Sequence, residues 1–333
     1  MERARMKLRL SVQTASKAVK PNKMNPIFET MLLEPHEGGT MITGTDGRIA
    51  VKIKVDSWIN EPIAVPAKLL QALIADEMTL YVVEGSRLQL KSQDGSATIA
   101  GHNHRLFPDL QIEPGEPTHC PLVLAKGFER CIRSTECSGM DFDKIVCYKG
   151  GTCVSTDTIR LAVVGDTQAD EKDFAISSSA ARILLPHLVE GATVSHTGDR
   201  LVVNNGDVTF CSELVSAEFP DFRKILPTAK EQVSIDRQVL LGAISRCMPV
   251  ARENRNKIEI DAGSISARSH VGSVSVAVPD LVPGERCGLN GLMLSRLLSA
   301  MAADVVTLGF SGSVSPITIS DSDGVSLLMP LNM

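Results

Sequence analysis

Aromatic residues are scarce in this chain of 333 residues: one Trp, two Tyr and nine Phe. A protein that holds single-stranded nucleic acid by stacking bases on aromatic side chains needs more of them, so that class is set aside. Long apolar runs are missing too. No stretch reaches the ~18 residues that a membrane-spanning helix requires. The opening MERARMKLRL is charged where a secretory signal would be apolar. These absences point to a soluble, cytoplasmic protein with no membrane partner. An excess of positive charge is also lacking: 34 Lys and Arg face 39 Asp and Glu, a net charge of −5. A free-standing, high-affinity DNA binder is usually basic overall. A local basic face on an acidic body is still compatible with this balance.

Catalytic and metal-binding signatures are absent as well. The eight cysteines form no C-x-x-C pair, and most sit in apolar stretches such as KIVCYKGG and VTFCSEL. They read as reduced, buried small hydrophobes rather than a disulfide framework or a zinc site. His102 and His104 in AGHNHRLF would point the same way from a strand, but no third ligand follows at a suitable spacing. Cys131 falls on an apolar helix. There is no Gly-rich phosphate loop, no G-x-S-x-G elbow and no H-E-x-x-H. The expectation is a non-enzyme with no cofactor, no metal and no catalytic residue.

What is present is repetition. TGTDGRIAVK at 43–52 is echoed by STDTIRLAVV at 155–164, and FPDL at 107–110 by FPDF at 219–222. Helix-like VPAKLLQALIAD (65–76) is echoed by SSAARILLPHLVEG (178–191) and LMLSRLLSAMAAD (292–304). Each carries apolar residues at i, i+3, i+4 spacing, with Lys68, Arg182 or Arg296 interleaved at equal steps. After each helix comes alternating apolar and polar sequence around Gly-Ser, Asn-Gly or Asp-Gly turns, the mark of an antiparallel meander. Earlier in each unit lies another helix candidate: LSVQTASKAV, LAKGFERCIRSTE and RQVLLGAISRCMP. The third unit has RSHVGSVSVAV in place of the box. One unit therefore reads helix, strands, helix, strands, and three fit the length: 1–115, 116–231 and 232–333. The fold class is α+β, with two helices packed on antiparallel sheet in each unit. Three such modules suggest an arc that a symmetry partner completes.

The stretches TGTDGRIAV, VPAKLLQAL, STDTIRLAV, SAEFPDFRKILP, MPVARENRNKIEI and the terminal LLMPLNM together resemble the bacterial DNA polymerase III beta subunit, the replicative sliding clamp. The resemblance covers essentially the whole chain. It implies three tandem DNA-clamp domains per protomer and a head-to-tail homodimeric ring, with helices lining a channel around double-stranded DNA. The implied partners are that DNA, the catalytic subunit of DNA polymerase III, a clamp loader, other replication and repair proteins, and a second copy of the chain. The alternatives are a clamp-like monomer that binds partners without encircling DNA and, further off, a thiol- or metal-dependent enzyme.

A clamp held on DNA by topology needs only position-setting phosphate contacts. The candidates are Lys17, Lys20, Lys23, Lys68, Lys126, Arg130, Arg133, Arg182, Arg246 and Arg296, on or beside the candidate helices. The resemblance also implies a hydrophobic cleft that receives a short partner peptide. Its carried-over residues are Phe142, Thr156, Arg160, Leu161, Pro220, Lys224, Ile225 and Met293, with Leu327, Leu328, Met329, Pro330 and Leu331 from the tail. A short peptide gains affinity by burying a few apolar anchors, and Met repacks easily around them. Ring closure is assigned to Phe107 and Leu110 on one side and to Val274, Ser275 and Val276 on the other, meeting as exposed sheet edges. Thr158 and Ile159 stand where the family usually has Gly-His. That departure makes the expected cleft more apolar.

Overall fold

The computed structural model describes the chain apart from residues 1–6, 23, 111, 113–114, 136–143, 166–171, 217–218, 220, 284–285 and 333. The elements begin with α1 (Leu8–Ser16), β1 (Thr30–His36), β2 (Gly39–Thr45), β3 (Ile49–Val55), β4 (Ile63–Pro66), α2 (Ala67–Leu73), β5 (Thr79–Val83), β6 (Arg87–Lys91) and β7 (Ser96–Ala100). The same order returns as α3 (Pro121–Ile132), β8 (Ile145–Lys149), β9 (Thr152–Thr156), β10 (Arg160–Val164), β11 (Phe174–Ser177), α4 (Ser178–Leu184), β12 (Thr193–Thr197), β13 (Arg200–Asn204) and β14 (Val208–Glu213). It returns again behind one added strand, β15 (Glu231–Asp236): α5 (Arg237–Ala251), β16 (Lys257–Asp261), β17 (Ser264–Ser269), β18 (Gly272–Ala277), β19 (Cys287–Asn290), α6 (Gly291–Ser299), β20 (Val305–Phe310), β21 (Ile317–Asp321) and β22 (Gly324–Leu328).

The helices are shorter than the apolar periodicity predicts, for local reasons. SSAARILLPHLVEG leaves the α-helix at Leu184, because Pro186 has no N–H to continue the ladder, and a short 3-10 turn follows. In VPAKLLQALIAD the Val-Pro pair belongs to β4, and the helix stops at Leu73. Among the described residues, three α-helix starts are capped by side chains, the first by Ser177, whose hydroxyl accepts from the Ala180 N–H ahead of α4. Asp236 accepts from the Gln238 and Val239 N–H groups ahead of α5, and Asn290 accepts from the Met293 N–H ahead of α6.

The chain packs as two compact units, residues 1–122 with 182–214 and residues 123–181 with 215–333. In the first, one sheet runs β12-β13-β14-β3-β2-β1-β4 and another β5-β6-β7. Strand β14 pairs with β3, Val208 opposite Ile53 and Ser212 opposite Ile49. Helix α1 lays Leu8, Val12 and Ala15 on β2 and β3, the i, i+4, i+7 stripe of a half-buried helix. Gly44 permits this closeness, since a Cβ there would lie 2.1 Å from the Ala15 carbonyl oxygen.

In the second unit the larger sheet runs β11-β8-β9-β10-β22-β21-β20-β15 and the smaller β18-β17-β16-β19. Strand β22 pairs with β10, Arg160 opposite Leu328 and Leu161 opposite Leu327. Helix α3 buries Leu124, Phe128 and Cys131 with the spacing seen in α1. Gly127 gives the room, because a Cβ there would meet the Cys153 sulfur. Helix α5 covers β16, β17 and β18, and the main core joins Leu240, Ile244, Ile258, Leu289, Leu297 and Leu328 among others. Each unit thus contains a sheet that crosses a boundary of the threefold order. Only β7 and β18, of the strands that hold these two positions in the repeat, keep a free edge.

Candidate functional site

The two boxes fold as the same turn. In the first, the Thr45 hydroxyl donates to the Ile49 carbonyl (2.8 Å), and Asp46 Oδ1 accepts from the Arg48 and Ile49 N–H groups. In the second, the Thr156 hydroxyl donates to the Arg160 carbonyl (2.6 Å), and Asp157 Oδ1 accepts from the Ile159 and Arg160 N–H groups. Thr and Asp side chains that bond their own turn in this way fix it without help from elsewhere. The bonds set the equivalence: Asp46 with Asp157, Gly47 with Thr158, Ile49 with Arg160. The arginines that make the boxes look alike are therefore one place out of register. Arg48 stands where the second copy has Ile159. Gly47 and Thr158 share a positive φ, +90° and +70°. That conformation is easy for Gly and strained for a β-branched residue.

Arg160, expected on the cleft, is interior. Its Nε and Nη2 donate to Asp157 Oδ2 at 2.9 and 2.7 Å, both side chains are fully buried, and Nη1 donates to the Arg133 carbonyl beyond the end of α3. It is a structural pair tying the box to the helix, because a buried guanidinium needs its charge and its N–H groups answered on the spot. Thr156 is buried beside it. Leu161 and Leu327 are also interior. They are cross-strand neighbours in a cluster with Phe222, and Phe219 and Leu226 pack over the same cluster. Phe219, Phe222 and Leu226 pack where an open groove was expected. Leu328 belongs to the main core, and Met293 is half-buried against it. Lys224 and Ile225 are exposed at the 3-10 turn that carries Phe222, with Lys224 paired to Asp221. Phe142 and Pro220 lie outside the described residues.

The tail is tied down. The Met329 N–H donates to the Ile159 carbonyl (2.9 Å), the Leu331 N–H to the Gly288 carbonyl (2.8 Å), and Lys257 Nζ to the Asn332 carbonyl (3.1 Å). Met329 and Ile159 are both exposed, with Pro330 and Leu331 half-buried beside them in sequence. Of the expected cleft residues, Lys224, Ile225 and Met329 are exposed, and Met329 lies beside the exposed Ile159. Ile159, which the sequence marks only as a departure from the family's Gly-His, is an exposed residue of the second box.

The basic set divides in the same way. Lys17, Lys20, Lys68, Lys126, Arg133, Arg182 and Arg246 are exposed, and Arg296 is half-buried. Lys23 lies outside the described residues. Arg130 is a correction: it is buried on α3 and paired with Asp321 of the β21–β22 turn, while Lys126, one turn earlier, reaches Asp323 at 3.4 Å. The equal spacing of Lys68, Arg182 and Arg296 is not structural equivalence, since they are the second, fifth and sixth residues of their helices. Lys20 pairs with Asp46 at 2.8 Å. Burial alone would raise the Asp46 carboxyl; the hydrogen bonds from Lys20 and from the Ile49 and Arg48 N–H groups outweigh it and hold the group below its ordinary value.

Of the expected dimer residues, Val274, Ser275 and Val276 lie on the edge strand β18, with Val276 facing the core. Phe107 packs in its own unit against Leu32 and Ala64, with Leu110 beside it. The edge with the matching repeat position is β7. Burial pushes the Cys131 and Cys147 thiols up to about 12 and Cys287 to about 11, which removes the thiolate that nucleophilic chemistry requires. Among the described residues no group of three or more His, Cys, Asp or Glu is placed to hold a metal ion. No described helix is long and apolar enough to cross a membrane.

Residues 2–110 match the sequence model of the DNA polymerase III beta subunit, N-terminal domain. The chain is 22% identical to the beta sliding clamp of Streptococcus pneumoniae, with 96% of each covered, and 24% identical to that of Pseudomonas putida, with 97% and 96% covered. Its fold superposes on the crystal structure of the DNA polymerase sliding clamp from Bacillus subtilis with a TM-score of 0.82 at 20% identity, covering 98% and 97%. By fold, the chain is similar to DNA polymerase sliding clamps. More narrowly, it is similar over nearly its whole length to beta sliding clamps, and the match to the beta-subunit family model spans residues 2–110.

Proposed function

We infer that this protein is a non-catalytic DNA sliding clamp. Two copies close a ring around duplex DNA and tether a replicative polymerase, and the same ring serves a clamp loader and other replication and repair proteins. The observation that carries this reading is similarity to beta sliding clamps in both sequence and fold over nearly the full length of each chain. The strand pairing supports it. Pairings β14–β3 and β22–β10 bridge two repeat boundaries, and β7 and β18 are the strands left to make a third between copies. Exposed Lys17, Lys20, Lys68, Arg133, Arg182 and Arg246 supply phosphate contacts that carry no sequence information. Partner peptides dock at the surface where Ile159 and Met329 meet. Negative-stain electron microscopy with solution mass on the same sample tests the reading. A two-chain ring with an open hole is expected, and a single-chain particle at working concentration overturns it.

A further inference from the structure

Trp58 is 68% exposed and Tyr81 is 50% exposed, although large aromatic side chains usually bury most of their surface. Both line one open groove of about 840 Å3 in the first unit, walled by residues 55–60 and 76–81. The groove lies at the β5 edge of its sheet, two strands away from β7. That edge is already closed to strand addition at its centre: Asn60 Oδ1 accepts from the Val82 N–H (2.7 Å), and Asn60 Nδ2 donates to the Val82 carbonyl (3.0 Å). An occupant must therefore dock through side chains. The charge on the walls is one-sided. Among the described residues, Asp56, Asp76 and Glu77 line the groove against a single cation, Lys7. Asp76 is held in place by accepting the Arg9 N–H at the start of α1. Carboxylates beside an open indole and phenol repel phosphate, which excludes nucleic acid. They match a guanidinium, which stacks on an aromatic face and bonds to carboxylates at its edge. The aromatic walls also offer an apolar seat for the neighbouring residue of a peptide.

We propose that this groove docks a basic peptide segment of a partner protein, an arginine stacking on Trp58 and bonding to Glu77, with an adjacent apolar side chain against Tyr81. The proposal does not depend on the clamp reading. Trp58 is the chain's only tryptophan, so its fluorescence reports on the groove directly. The full-length protein is titrated with an acetylated, amidated peptide of alternating arginine and leucine, and separately with the glutamate–leucine counterpart. The expected result is a saturable change in Trp58 emission with the basic peptide alone, weakened about tenfold in Glu77→Lys, the loss of one charge-assisted contact. Tyr81→Ala, at an exposed position, is expected to weaken binding several-fold with an unchanged melting temperature. The proposal is overturned by no saturable change, by an equal response to both peptides, or by full binding in Glu77→Lys.

Discussion

The two boxes make the same turn from the same Thr-Asp pair, and they differ in what they do with charge. At the first, Gly44 sits bare beneath the Ala15 carbonyl, Arg48 is exposed, and the box carboxylate Asp46 meets a solvent-facing Lys20. At the second, Ser155 takes the place of Gly44 and donates its hydroxyl to the Cys131 carbonyl (2.8 Å), and the box carboxylate meets an arginine with no exposed surface. One joint is closed by shape, the other by a buried network that reaches from the box into α3 and, through Arg130, to the β21–β22 turn. A motif can thus be conserved within one chain in its backbone logic while its charged residue changes from ornament of the surface to part of the interior.

The sharpest way to break this comparison is to delete each arginine. Arg160→Ala strands Asp157 as a buried unpaired carboxylate and is expected to cost about 3–5 kcal/mol. Arg48→Ala, on the surface, is expected to stay within about 0.5 kcal/mol. Urea unfolding of both variants checks the pair, and similar midpoints would show that the boxes are energetically alike. Exchanging the residues at positive φ gives a smaller effect of opposite signs. Thr158→Gly is expected to relieve about 1 kcal/mol of strain, and Gly47→Thr to impose about 1–2 kcal/mol. Thermal melting of the two single variants reads this directly. The smallest effect concerns pH. Asp46 titrates lower in the folded protein than its ordinary value of 3.8, so the unfolded chain takes up the proton first. The stability it contributes is complete above that value and disappears as pH falls through the depressed folded value. Lys20→Ala should flatten this part of the acid-unfolding curve. An unchanged curve would mean that the backbone N–H groups alone hold the carboxylate.

The parts of this architecture that were legible in the sequence are the local ones. Alternation around tight turns located β5 to β7, β12 to β14 and β20 to β22, and helical spacing located the six helices but overran the end of α4 by seven residues and of α6 by five. Strand pairing between repeats was not legible, because β3 meets β14 and β10 meets β22 across more than a hundred residues and no local signal records it. The site was read less well for a related reason. Periodicity identifies a face, yet it does not say whether solvent or another segment covers that face. Leu161 has the pattern of a cleft residue and lies under Phe222; Arg130 has the pattern of a channel residue and lies against Asp321. The shared Arg of the boxes misled by one position, since a one-residue shift turns a strand residue to the other side.

In the proposed ring, the edges of β7 and β18 act as two different sticky sides, in the way a bifunctional monomer carries two reactive groups. Such a molecule always faces a competition between cyclisation and chain growth, decided by whether the second pairing can be reached without distortion. A substitution at either edge that changes the angle of pairing without abolishing it should give open oligomers whose average length rises with concentration. Failure of this protein would then look like reversible filament formation, and dilution would be its remedy.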